Sequence, residues 1–74
     1  MKEYTLIGID GNAFAVMGYV QRIMKYEGFS VEETKEYIER ATSGDYNNLL
    51  GESMNMVKLC NKKHKKNHKK EKKL

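Results

Sequence analysis

Proline is absent from this chain of 74 residues, cysteine occurs once, and no apolar run comes near the ~18 residues of a membrane span. Each absence narrows the field. With no proline, nothing demotes a strand or breaks a helix from within. The lone Cys60 excludes an intrachain disulfide and suits a reducing compartment. No basic n-region precedes an apolar h-region, so no secretory signal is read. Together these features predict a soluble cytoplasmic protein that does not enter a membrane.

Charge is divided unevenly along the chain. Up to Cys60 there are six Lys and Arg against nine Asp and Glu, a formal charge of −3. From Asn61 on there are eight Lys, two His and one Glu, a formal charge of +7. The basic pI therefore belongs to the tail. Residues 1–60 read as a small globular body, and residues 61–74 as a Lys-rich tail whose mutual repulsion predicts disorder. A body of this size buries only about 60% of its unfolded surface, so a disulfide, a metal or a partner is needed to secure it. The residues imply no cofactor and no metal. Self-association as a homodimer is the expected remedy.

The segment Tyr4–Ile9 reads YTLIGI, and its β-branched and aromatic character predicts a strand. A lone strand leaves its backbone donors and acceptors unpaired. It should pair with Met56–Cys60, if that segment returns as a strand, or with its own copy in a second chain. Asp10-Gly11-Asn12 is a turn in which Asp10 or Asn12 can cap a helix and Gly11 can supply a positive φ. Ala13, Val16, Met17, Val20, Ile23 and Met24 then recur with helical spacing, and Gly28 followed by Phe29 suits the end of that helix. Ser30-Val31-Glu32-Glu33 is a capping box that opens a second helix to about Ala41. Val31, Thr34, Ile38 and Ala41 are expected on its inner face, with Tyr37 beside them. Thr42-Ser43-Gly44 ends it. Ser43 or Asp45 should cap a third helix with Tyr46, Leu49, Leu50, Ser53, Met54 and Val57 on one face, and Gly51 inside it costs ~1 kcal/mol relative to Ala. The fold class expected is α+β and mainly helical, as βααα or βααβ.

The chemistry-bearing residues also have plainer roles. Asp10 closes an apolar run as a metal-binding carboxylate does in some nucleases, and LIGIDGNAFA resembles the start of the metal-dependent domains related to flap endonucleases. Two-metal chemistry needs several carboxylates around ions ~3.5–4 Å apart. Glu32, Glu33, Glu36 and Glu39 belong to the second helix, and nothing in the pattern brings two acids to Asp10. A helix-capping turn accounts for the same residues. The glycines do not have the spacing of a dinucleotide or Walker loop. Cys60, His64 and His68 stand four apart, so on a continued helix they would share a face only in pairs, too few for a closed metal site. A helix-turn-helix reading fails on charge, because the third helix opens with Asp45 and Asn47 and has its only base at Lys58.

Two surfaces remain as candidate sites. Tyr19, Tyr26 and Tyr37 lie off the core stripes or at their margins, and tyrosine is enriched at interface hot spots. Lys62, Lys63, Lys65, Lys66, Lys69, Lys70, Lys72 and Lys73 offer non-specific contact to nucleic-acid phosphates.

Two separated stretches, DGNAF…MG and ATSGDYNNLL, resemble a group of short proteins of bacteria and their phages that carries no assigned activity. The likeness covers Gly8 to Val57. It implies a compact βααα or βααβ body, a bacterial host and phage or mobile-element origin, and it gives no account of the tail. The function expected is that of a non-enzymatic protein that binds a host macromolecule, with inhibition of a host defence protein as one implied mode. The alternative is a nucleic-acid accessory protein acting through its tail, and a nuclease-like fragment centred on Asp10 stands behind both.

Overall fold

The computed structural model describes residues 3–72, with side chains through Lys66. It contains three helices: α1 (Ala13–Tyr26), α2 (Val31–Ala41) and α3 (Tyr46–Lys72). Local chemistry sets their ends. The Asn12 side chain accepts the Phe14 N–H at 2.8 Å and caps α1. Asp10 is not the cap. Its carboxylate accepts the Asn12 N–H at 3.1 Å and braces the residue that is. Gly11 has no positive φ, contrary to expectation, since among the described residues only Gly8 (+88°) and Gly28 (+86°) do.

At the other end of α1 the Phe29 N–H reaches the Met24 carbonyl, and the Gly28 N–H reaches that of Lys25. This double bond pattern needs the left-handed backbone that Gly28 supplies. The Ser30–Glu33 capping box is complete, with bonds of 3.0 and 2.8 Å in the two directions. The two candidates for the α3 cap divide the work. Asp45 accepts the Asn48 N–H at 2.9 Å, whereas the Ser43 hydroxyl donates back to the Arg40 carbonyl and closes α2.

The expected strand is not there. Among the described residues there is no strand, so the fold is not βααα or βααβ, and Tyr4–Ile9 is not the strand on which a two-chain ribbon was expected. Several of the backbone groups that would have needed a sheet find side chains instead. The Asn61 amide accepts the Tyr4 N–H at 2.6 Å and donates to the Tyr4 carbonyl at 3.0 Å. The Thr5 N–H is taken by the Tyr19 hydroxyl at 3.2 Å. The Ile9 N–H turns back to the Leu6 carbonyl, with Gly8 in the left-handed region. One primary amide has done for Tyr4 what a neighbouring strand would do. Met56–Cys60 lies within α3 and is not a returning strand.

Helix α3 passes through Asn61 without a break, where lysine density points to a disordered tail. Residues 61–66 hold to the body by several bonds. Besides the Asn61 clasp, His64 Nδ1 lies 2.8 Å from Glu27, Lys65 pairs with Glu3 at 3.1 Å, and Lys63 lies over the Phe29 ring at 4.5 Å.

Helices α1 and α2 both pack mainly on α3 and touch each other little. The core draws Val16, Val20, Ile23 and Met24 from α1, Tyr37 and Ala41 from α2, and Leu49, Met56, Val57 and Cys60 from α3. This corrects the expected inner face of α2. Tyr37 is fully buried while Val31 is 72% exposed. An aromatic ring buries more area than a valine, and its hydroxyl finds a partner in the buried Ser53 at 2.7 Å. The face of α3 shifts likewise: Leu49, Ser53 and Val57 are inside as expected, but Tyr46 and Met54 are exposed.

The buried acids set an alkaline limit on stability. Burial first, then the Glu27 carboxylate, pushes the Cys60 thiol from 9.0 up to about 11. Burial also raises the hydroxyls of Tyr37 and Tyr4, the latter helped by its bond to Glu27. Each acid has a folded value above its unfolded one. For Cys60 the stability tied to the neutral form is complete below pH 9.0 and is lost as pH rises toward about 11, and the two tyrosines add to the loss from pH 10.0 upward. Urea titrations should show a midpoint that declines across that window, and a midpoint that climbs through it would contradict the assignment.

Candidate protein interface

The two sequence stretches singled out above meet at one corner of the molecule. The Tyr46 hydroxyl, from ATSGDYNNLL, donates to the carbonyl of Gly11 in DGNAF. Between them lies a hollow of ≈ 360 Å³ walled by Ala13, Phe14 and Met17 of α1 and by Thr42, Asp45 and Tyr46. Gly44 lets the chain turn tightly here: a Cβ on it would stand 3.0 Å from that of Asn48. Asn48 in turn donates its amide to the Arg40 carbonyl at 2.8 Å. The corner is thus held by backbone-directed bonds, and it presents Phe14 to solvent at 82% exposure.

An apolar strip continues from this corner along α3. Tyr46, Leu50 and Met54 are spaced by four and share one helix face. Leu50 and Met54 also wall a second hollow of ≈ 480 Å³ with Leu6 and Ile7 of the N-terminal arm. Met54 is 55% exposed and Ile7 87%. Single exposed apolar residues need no explanation, but here Phe14 and Tyr46 border one hollow and Met54 and Ile7 the next along the same helix, an apolar grouping of the kind that partners cover.

The arm that carries Ile7 is fixed from below. Asn61 clasps the Tyr4 backbone, and the Tyr4 hydroxyl donates to Glu27. The Glu27 side chain is 3% exposed, and the same carboxylate oxygen faces His64 Nδ1. The Tyr4 and His64 rings meet edge-on with centroids 5.5 Å apart. Glu27, at the end of α1, therefore ties the arm and α3 together.

Of the tyrosines expected at an interface, Tyr37 is in the core and is removed from the candidates. Tyr19 is half-buried and engaged with Thr5, and Tyr26 is exposed, away from the strip. Lys62, Lys65 and Lys66 are exposed, and Lys63 is half-buried over Phe29. The side chains of Lys69, Lys70 and Lys72, and all of Lys73, lie outside the described residues, as does the side chain of His68. Among the described residues no group of three His, Cys, Asp or Glu is placed to hold a metal ion. None of their helices is long and apolar enough to cross a membrane.

The residues that sequence reasoning passed over are Ile7, Phe14 and Met54. Phe14 carried a signal: it is apolar yet falls off the stripe of Ala13, Val16, Met17 and Val20. Ile7 carried none, since it was absorbed into the expected strand. No family model matches the chain, and no curated protein or solved structure matches it.

Proposed function

We propose that this is a non-enzymatic binding protein that acts by covering a surface of a host macromolecule, with the Phe14–Tyr46–Met54–Ile7 strip as its docking face. The exposure of that strip on a rigidly held corner carries the reading. A host protein of a bacterium, a defence component among them, is the partner class that the resemblance implies. Self-association is the other use the strip can serve. The experiment is affinity capture from a bacterial host with the wild-type chain and with a Phe14→Ser, Met54→Ser variant. Both positions are exposed, so the variant should fold with an unchanged melting temperature and lose its captured protein. Retention of the same protein by the folded variant would sink the proposal. Sedimentation of the two chains separates the uses: a wild-type dimer that the variant turns into monomer assigns the strip to a second copy.

A second reading rests on the register of α3. Lys58, Lys62 and Lys65 line one side of the helix with Asn55, around a shallow hollow of ≈ 660 Å³ whose one lining acid, Glu3, pairs with Lys65 at the exposed edge. Three cations on one side suit a phosphate backbone better than an unstructured lysine run does. Oligonucleotide binding that weakens with salt and disappears in a Lys58→Glu, Lys62→Glu chain would favour this reading over the first.

A further inference from the structure

The side of α1 and α2 away from the core holds a trough of ≈ 630 Å³ that no residue of α3 lines. Its α1 wall is Gly18, Gln21, Arg22 and Lys25, spaced three, one and three. Its α2 wall is Val31, Thr34, Lys35 and Ile38, with the same spacing. Each wall is a helical stripe separate from the buried one, so the two helices present a seat with the periodicity of a third helix. Phe29 and Val31 make it apolar, and Val31 is 72% exposed.

Gly18 is the second observation. Glycine inside a helix destabilises it relative to alanine, so it calls for a reason. The fold supplies none. Gly18 has no positive φ, and a Cβ there would meet nothing within 4 Å. What the missing side chain does is keep the α1 wall low, which lets another backbone come close. Charge then selects the occupant. Arg22, Lys25 and Lys35 stand around the trough against the single carboxylate of Glu39, and Lys63 adds an ammonium over Phe29. Among the described residues none of Arg22, Lys25 and Lys35 is in an ion pair.

We propose that the α1–α2 trough is a docking site for an acidic amphipathic helix of a partner protein, which lies along it as a fourth helix. Its apolar stripe covers Phe29, Val31 and Ile38, and its flanking carboxylates meet Arg22, Lys25 and Lys35. This surface is separate from the Phe14 strip, so the two proposals fail independently.

The test uses the full chain and two labelled synthetic helical peptides. One carries Leu at helical spacing flanked by Glu; its twin carries Lys in place of Glu. Fluorescence anisotropy should show the acidic peptide binding at least tenfold more tightly than the twin. Gly18→Leu should weaken binding at least tenfold without lowering the melting temperature, while Gly51→Leu, on the exposed side of α3, should not weaken it. An Arg22→Glu, Lys25→Glu chain, altered only at exposed positions, should reverse the preference even if the leucine variant folds poorly. Phe14→Ser should leave binding intact. Equal binding of the two peptides, no binding of the acidic one, or full binding by the charge-reversed chain would overturn the proposal. So would binding of decanoate with no binding of the peptide, which would mark the trough as a lipid site.

Discussion

Tyr37→Ala should lose about 3–5 kcal/mol of unfolding free energy, the range for emptying an aromatic site in a packed core. Tyr37 is the one large side chain that α2 buries completely, with Ala41 beside it and Ile38 half-buried against the same core. At about 0.05–0.15 kcal/mol per residue a chain of this size holds roughly 4–11 kcal/mol in all, so the variant should lose a large share of its stability. Tyr37→Phe separates packing from polarity. It keeps the ring but strands the Ser53 hydroxyl, which has 0% exposure and whose bonded partner is Tyr37. That should cost about 1–2 kcal/mol. Urea melts of both variants beside Tyr26→Ala, altered at a position 78% exposed, decide the matter. A Tyr37→Ala chain as stable as the Tyr26→Ala chain would place the core elsewhere.

Glu27→Ala should be the next most damaging change, at about 2–4 kcal/mol. The loss is one of partners more than of volume. The carboxylate serves the Tyr4 hydroxyl and His64 Nδ1 together, and its removal takes that acceptor from both. Glu27→Gln keeps the shape, and because both donors meet one oxygen its carbonyl can still accept from them, but without the negative charge that strengthens such bonds. Its cost should fall between wild type and alanine. Hydrogen exchange gives a second readout, because loosening of the arm should raise exchange at the Tyr4 and Thr5 amides ahead of those in α1. Unchanged protection at these two amides in a folded Glu27→Ala chain would show that Glu27 does not hold the arm.

The helix ends were legible in the sequence because capping is local chemistry. Asn12, Gly28, Ser30 and Asp45 act within a few residues of themselves, and their roles follow from their own side chains or from the lack of one. The N-terminal segment was misread for the converse reason. YTLIGI has the composition of a strand, but whether a strand forms depends on what lies beside it. That neighbour is Asn61, distant in sequence and at the head of the lysine run that concealed it. The inner face of α2 turned on a similar point. Periodicity allowed Val31 or Tyr37 to face inward, and the choice was made by Ser53 on another helix. The strip was legible only in part. Phe14 stands out as an apolar residue off its stripe, whereas Ile7 becomes visible only once the strand is replaced by an arm.

The Asn61 clasp has one consequence for how this small chain is secured. It joins residues 57 apart in sequence, a span that a disulfide in a secreted domain of similar size would close covalently. A covalent closure acts largely on the unfolded ensemble, removing chain entropy whether or not the fold is present. The clasp exists only in the folded state. It leaves the denatured chain unrestricted, and the whole cost of closing that long loop, which grows only slowly with its length, is met again at each folding event. The arm and the base of α3 therefore hold or release as a unit, and the chain keeps a reversible fastening that no change in redox conditions can lock or cut.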